Sequence, residues 1–79
     1  MTAMTTANIK LSTINDVRNF VNTVSKFDAE IDLKSGRYVV DAKSIMGIFS
    51  LDLASPIEMT IHSDAPEKIL EELKPFIVD

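Results

Sequence analysis

Residues 29–51 read AEIDLKSGRYVVDAKSIMGIFSL, and the period of the apolar positions changes within this stretch. Ala29, Ile31 and Leu33 alternate with Glu30, Asp32 and Lys34, the pattern of a strand with one dry face. Lys34-Ser35-Gly36-Arg37 reads as a turn in which Gly36 is free to take a positive φ. Tyr38 to Asp41 continue as another strand, closing a hairpin. From Lys43 to Leu51 the period of two is lost. Ile45, Met46, Ile48 and Phe49 fit a short helix, which Gly47 weakens by about 1 kcal/mol relative to alanine.

Upstream, Ala7, Ile9 and Leu11 alternate with Asn8, Lys10 and Ser12, which predicts an opening strand. Ile14, Val17, Phe20, Val21, Val24 and Phe27 then recur at spacings of three and four, an apolar stripe on a helix. Thr13, Asn15 or Asp16 can cap its start by accepting a bond from a free backbone N–H. Downstream, Ala54-Ser55-Pro56 ends the short helix. Ile57, Met59 and Ile61 alternate with Glu58, Thr60 and His62, a fourth strand. Asp64-Ala65-Pro66-Glu67 has capping-box spacing, with Asp64 as N-cap and Pro66 in the first turn. The last helix is expected to bury Ile69, Leu70 and Leu73 and to end at Pro75, with Phe76 to Val78 as an irregular tail. The order β-α-β-β-α-β-α predicts an α+β, open-faced β-sandwich: four mostly antiparallel strands covered on one face by helices.

The chain has 79 residues, enough for one domain spanning 1–79, with residues 1–6 expected to be flexible. A domain of this size buries only roughly 60–65% of its unfolded surface, so its stability margin is thin. A formal net charge of -4, with eight scattered basic residues, argues against nucleic acid as a partner. No apolar stretch approaches the roughly 20 residues of a membrane span. Met1 to Asn8 have no apolar core of the kind a signal peptide carries. A cytoplasmic protein is the expectation. Cysteine is absent and His62 is the one histidine, which removes disulfides, thiolate metal sites and multi-histidine sites. No cofactor or metal is expected. Asp28, Glu30, Asp32 and Asp41 are read as a solvated strand face, and Glu67, Glu71 and Lys74 as an exposed helix face.

The order of elements, together with the run Ala42-Lys43-Ser44-Ile45-Met46-Gly47-Ile48-Phe49-Ser50-Leu51, resembles HPr, the histidine-containing phosphocarrier of the sugar phosphotransferase system. The run is similar to the family's regulatory-serine motif, and the resemblance extends from about Asn8 to the last helix. It implies that Ser44 is phosphorylated by the family's regulatory kinase, with Lys43 able to pair with the phosphate. On the residues alone, Ser44 serves as an ordinary helix cap. The resemblance also implies that residues matching Ile45, Met46 and Phe49 lie in the surface that meets partner enzymes and a transcriptional regulator.

A second motif of the family lies between the first strand and the first helix: glycine, a small apolar residue, the phospho-accepting histidine, then arginine and proline. Here that place holds Leu11-Ser12-Thr13-Ile14-Asn15-Asp16. Counting back from Asn19-Phe20-Val21, Thr13 falls at the histidine, Asn15 at the arginine and Asp16 at the proline. A threonine phosphate ester lacks the lability of a phosphorylated imidazole. The reading is therefore a divergent HPr-like protein and not an enzyme. It is a regulatory or protein-binding module that docks through Ser44–Phe49 together with Thr13 and Asn15 of the Ser12–Asp16 loop. Its partners would be phosphotransferase components, HPr kinase or a transcriptional regulator. Two alternatives stand beside it. One is a phosphocarrier with a non-standard acceptor, Thr13 or His62. The other is a small ligand-binding or oligomerising module, monomeric or weakly dimeric, that uses the fold only.

Overall fold

The computed structural model describes residues 3–78. Its order is β1 (Met4–Ile9), α1 (Ile14–Val24), β2 (Glu30–Ser35), β3 (Tyr38–Asp41), α2 (Ile45–Phe49), β4 (Ile57–His62), α3 (Glu67–Leu73) and a 3-10 turn at Lys74–Phe76. The sheet runs β1-β4-β2-β3 and every pairing is antiparallel. The predicted open-faced α+β sandwich is the observed fold.

The alternation along each strand sends one set of side chains to each face. Ile9, Ile31, Leu33, Ile57, Met59 and Ile61 have no accessible surface and form the dry face. Val17, Phe20 and Val24 of α1, Ile48 of α2, and Ile69 and Leu73 of α3 close over it. The opposite face carries Asn8, Glu30, Asp32, Lys34, Val39, Asp41, Glu58, Thr60 and His62, brought into cross-strand rows by the register. Gly36 has φ 59° and Arg37 has no positive φ. This is the arrangement of a type II′ hairpin turn with glycine first. Gly47 is accounted for by close approach: a Cβ there would lie 3.1 Å from Ser44 Oγ and 3.2 Å from Val40 Cβ. Its helix penalty accompanies the seating of α2 on β3.

Four details differ from the sequence expectation. β1 begins at Met4, and Met4, Thr5 and Thr6, expected to be flexible, pair with His62, Ile61 and Thr60; Met1 and Thr2 lie outside the described residues. Ile14, expected on the buried stripe, is 68% exposed: it is the first helical residue, directly after the Thr13 cap, and burial on α1 begins at Val17. Asp64 does not cap α3. Pro66 is the N-cap, without a side-chain bond, and Asp64 Oδ1 instead accepts from Ala3 N at 3.1 Å. Asp28 lies in the loop before β2, apart from the strand face shared by Glu30, Asp32 and Asp41. After Pro75 the tail is not free. Ile77 bridges Ile9, Lys10 N donates to the Phe76 carbonyl, and Val78 N donates to the Asn8 carbonyl.

Candidate functional site

Thr13, at the end of the loop leaving β1, is the N-cap of α1. Its Oγ1 accepts from Asp16 N at 3.0 Å, and Asp16 Oδ2 accepts from Thr13 N at 3.2 Å and Ser12 N at 3.0 Å. This is a complete capping box, so the choice among Thr13, Asn15 and Asp16 as cap falls to Thr13. Its hydroxyl is committed to helix initiation, and a carboxylate occupies the donors on its other side. Ile14 and Asn15, the next two residues, are exposed.

The loop is tied to the far side of α2. Lys10 Nζ donates to the Ala54 carbonyl at 2.7 Å, which holds the α2–β4 connection near the end of β1. A groove of about 770 Å³ opens at this end of the sheet, between the β2–β3 turn and the residues following α2. Lys34, Arg37, Tyr38, Asp52 and Glu58 are among its lining residues. Sequence reasoning missed this groove, because four separate segments build it.

Ser44 is the N-cap of α2 and its Oγ accepts from Gly47 N at 3.2 Å. The hydroxyl is exposed. Lys43 is engaged elsewhere: its Nζ donates to the Phe27 carbonyl at 2.7 Å in a half-buried setting. To reach a phosphate on Ser44 it would have to leave that bond. On α2, Ile48 is buried and Ile45 packs against the core, whereas Met46 is 77% and Phe49 40% exposed. Two of the three apolar residues expected on the surface of this short helix are therefore presented, and Ile45 is partly absorbed by packing. α1 and α2 pack against each other.

His62 lies on the open face at the end of β4. Its Nε2 is 2.9 Å from Asp32 Oδ2 on the neighbouring strand, with side-chain exposures of 27% and 33%. The pair is diagonal in the register, since Glu30 stands directly opposite His62 and Thr60 opposite Asp32. It is on the solvent side of the sheet, remote from the dry-face elements that present Ser44. Exposed pairs of this kind contribute roughly 0–1 kcal/mol. The His62→Gln variant is expected to lose less than about 1 kcal/mol of stability in urea unfolding; a loss several times larger would mean that the pair organises the sheet.

The family model described as PTS HPr component phosphorylation site matches residues 16–79, starting three residues after Thr13. Among solved structures, the chain is similar to a phosphocarrier protein HPr from Bacillus anthracis str. Ames. The identity is 30% and the TM-score 0.74, over 96% of this chain and 99% of that one. It is similar to HPr-C-His from Thermoanaerobacter tengcongensis at 30% identity and a TM-score of 0.73, over 92% of this chain and 88% of that one. With the four-stranded sheet, the capped helix after β1 and the serine-capped α2 in place, these matches establish that the chain belongs to the HPr family of phosphocarrier proteins of the phosphotransferase system.

Proposed function

We propose that this member of the family is a cytoplasmic regulatory or protein-binding module, and that it carries no phosphoryl group at the place where the family's histidine stands. The observation that carries this reading is the capping box. The Thr13 hydroxyl accepts from Asp16 N while its backbone N–H is held by the Asp16 carboxylate, and a phosphate ester on threonine is too stable to be passed on as the family's phosphorylated imidazole passes its group. Docking runs through α2 by way of Ser44, Ile45, Met46 and Phe49, and through Thr13 and Asn15. The exposure of Met46, Phe49 and Ile14 supports that choice, since flexible and aromatic side chains left in water suit partner binding. The partners are phosphotransferase components, HPr kinase or a transcriptional regulator.

Ser44 is the regulated position in this reading. A phosphate at the start of α2 would add charge where a helix favours it, beside the exposed Met46. The test is incubation with ATP and HPr kinase, read by intact mass and acid stability. One acid-stable phosphoryl group, lost in Ser44→Ala, is expected. No modification, together with no binding of the general phosphotransferase enzyme, would overturn the proposal. The Ser44→Ala variant is also expected to lose about 1 kcal/mol, because Gly47 N loses its acceptor.

A second reading has one observation in its favour. Asp32 engages Nε2 of His62 and leaves Nδ1 open, the setting of an oriented nucleophile. An acid-labile phosphate on His62, formed from phosphoenolpyruvate and the general phosphotransferase enzyme, would favour a carrier with a displaced acceptor.

A further inference from the structure

β3 is one edge of the sheet, and on its outer side the Asp41 carbonyl is taken by Ser44 N at 2.9 Å. Ala42 N donates to the Ile31 carbonyl, so Ala42, Val40 and Tyr38 turn their backbone groups toward β2. In an antiparallel ladder the alternate residues turn theirs outward. Val39 and Asp41, opposite Lys34 and Asp32 in the register, therefore direct their N–H groups away from the sheet. Tyr38 and Val39 are both largely exposed. The opposite edge differs, because the tail at Phe76–Val78 bonds along the end of β1.

The charges on this edge are mismatched within one copy. Asp41 stands directly opposite Asp32 in a non-hydrogen-bonded pair, the kind that brings side chains closest, and like charges so placed are destabilising. Asp32 has His62 beside it. Among the described residues, the Asp41 carboxylate has only the Lys43 backbone N–H, at 2.8 Å. Arg37, in the turn, makes no ion pair among the described residues.

We infer that two copies of this chain pair antiparallel through β3, centred on Val39, into one continuous eight-stranded sheet. Backbone direction and charge select this register together. With Val39 opposite Val39 of the second copy, the outward groups at positions 37, 39 and 41 meet. Each Val39 N–H donates to the other Val39 carbonyl, and each Asp41 N–H donates to the Arg37 carbonyl across the axis. The same register sets Arg37 opposite Asp41 twice, bringing a cation to each carboxylate that lacks one. A register centred on Val40 aims each Val39 N–H at an Asp41 carbonyl that already accepts from Ser44 N, and it sets Asp41 against Val39, leaving both charges unanswered. The interface lies outside Ser12–Asp16 and α2, so it stands or falls separately from the proposed docking function. An exposed strand edge is a template for such pairing unless something blunts it.

The test is sedimentation velocity over a concentration series, with hydrogen exchange read at single amides. The wild-type mass is expected to rise from 8.8 kDa toward twice that value in the high-micromolar range, with the Val39 and Asp41 amides gaining protection as it does. Arg37→Glu, in an exposed turn, is expected to weaken dimerisation roughly tenfold or more through repulsion from Asp41. Val39→Pro removes the central donors without touching the β2–β3 ladder and is expected to abolish pairing, with circular dichroism reporting a retained fold. A wild-type chain that stays monomeric to millimolar concentration would overturn the inference. So would association that leaves the Val39 and Asp41 amides unprotected, or that persists unchanged in Arg37→Glu.

Discussion

A chain carrying Thr13→His, Asn15→Arg and Asp16→Pro together is expected to accept one acid-labile phosphoryl group from phosphoenolpyruvate and the general phosphotransferase enzyme, where the wild-type chain accepts none at this loop. The imidazole supplies an atom that both takes and releases phosphate. Removing Asp16 takes away a carboxylate that lies against Ser12 N and Thr13 N, close to where a phosphate would sit. Two unit charges about 4 Å apart repel by about 1 kcal/mol in water and about 4 kcal/mol at an effective dielectric of 20. The guanidinium adds charge-assisted bonds worth about 1.5–3 kcal/mol, which places Thr13→His alone roughly ten- to a hundredfold below the triple variant. Dismantling the capping box costs about 1–2 kcal/mol, against a total near 4–12 kcal/mol for a chain of this length, so the variant is expected to fold. Intact mass before and after acid treatment reads the result. A labile phosphate on wild-type Thr13, or a folded triple variant that stays unmodified, would contradict the role assigned to this loop.

The sheet was legible because strands with one dry face print their period directly: Ile31 and Leu33, and Ile57, Met59 and Ile61, are all fully buried. Met4-Thr5-Thr6 carried no such print. One apolar residue and two threonines have no contrast to alternate, and the pairing with Thr60–His62 comes from the β4 register. The α3 start misled because Asp64 and Glu67 have capping-box spacing. Pro66, at φ -79° and ψ -5°, takes the cap itself, while Asp64 bonds to Ala3, 61 residues away. The cap at Thr13 and the cap at Ser44 were readable as local chemistry. The His62–Asp32 pair was not, since it spans 30 residues and exists only through the antiparallel β2–β4 register. Local patterns expose what neighbours in sequence can do, and sites assembled across strands need the register first.

Phe20→Ala is expected to be the most damaging single truncation in the chain, while Ile14→Ala, on the same predicted stripe, is expected to be nearly silent. Phe20 has no accessible surface, and its ring meets that of Phe76 edge-on, with centroids 5.6 Å apart and planes at 89°. Burying phenylalanine and then deleting it costs about 3–5 kcal/mol, part of it from the aromatic pair, which contributes about 0.5–1.5 kcal/mol. Set against a total of about 4–12 kcal/mol, that loss leaves the domain marginal or unfolded at ambient temperature. The ring also connects parts of the site. It holds α1, whose N-cap is Thr13, against the turn whose Phe76 carbonyl accepts from Lys10 N, two residues before the loop. Loosening it should therefore free the tail from β1 as well as the helix from the sheet. Ile14 is 68% exposed, and surface truncations away from special contacts stay within about 0.5 kcal/mol. Urea unfolding decides between the two, read as midpoint shifts at constant slope. Equal losses from Phe20→Ala and Ile14→Ala would mean that α1 turns a different face to the sheet, and the exposed apolar surface assigned to Ile14, Met46 and Phe49 would lose its first member.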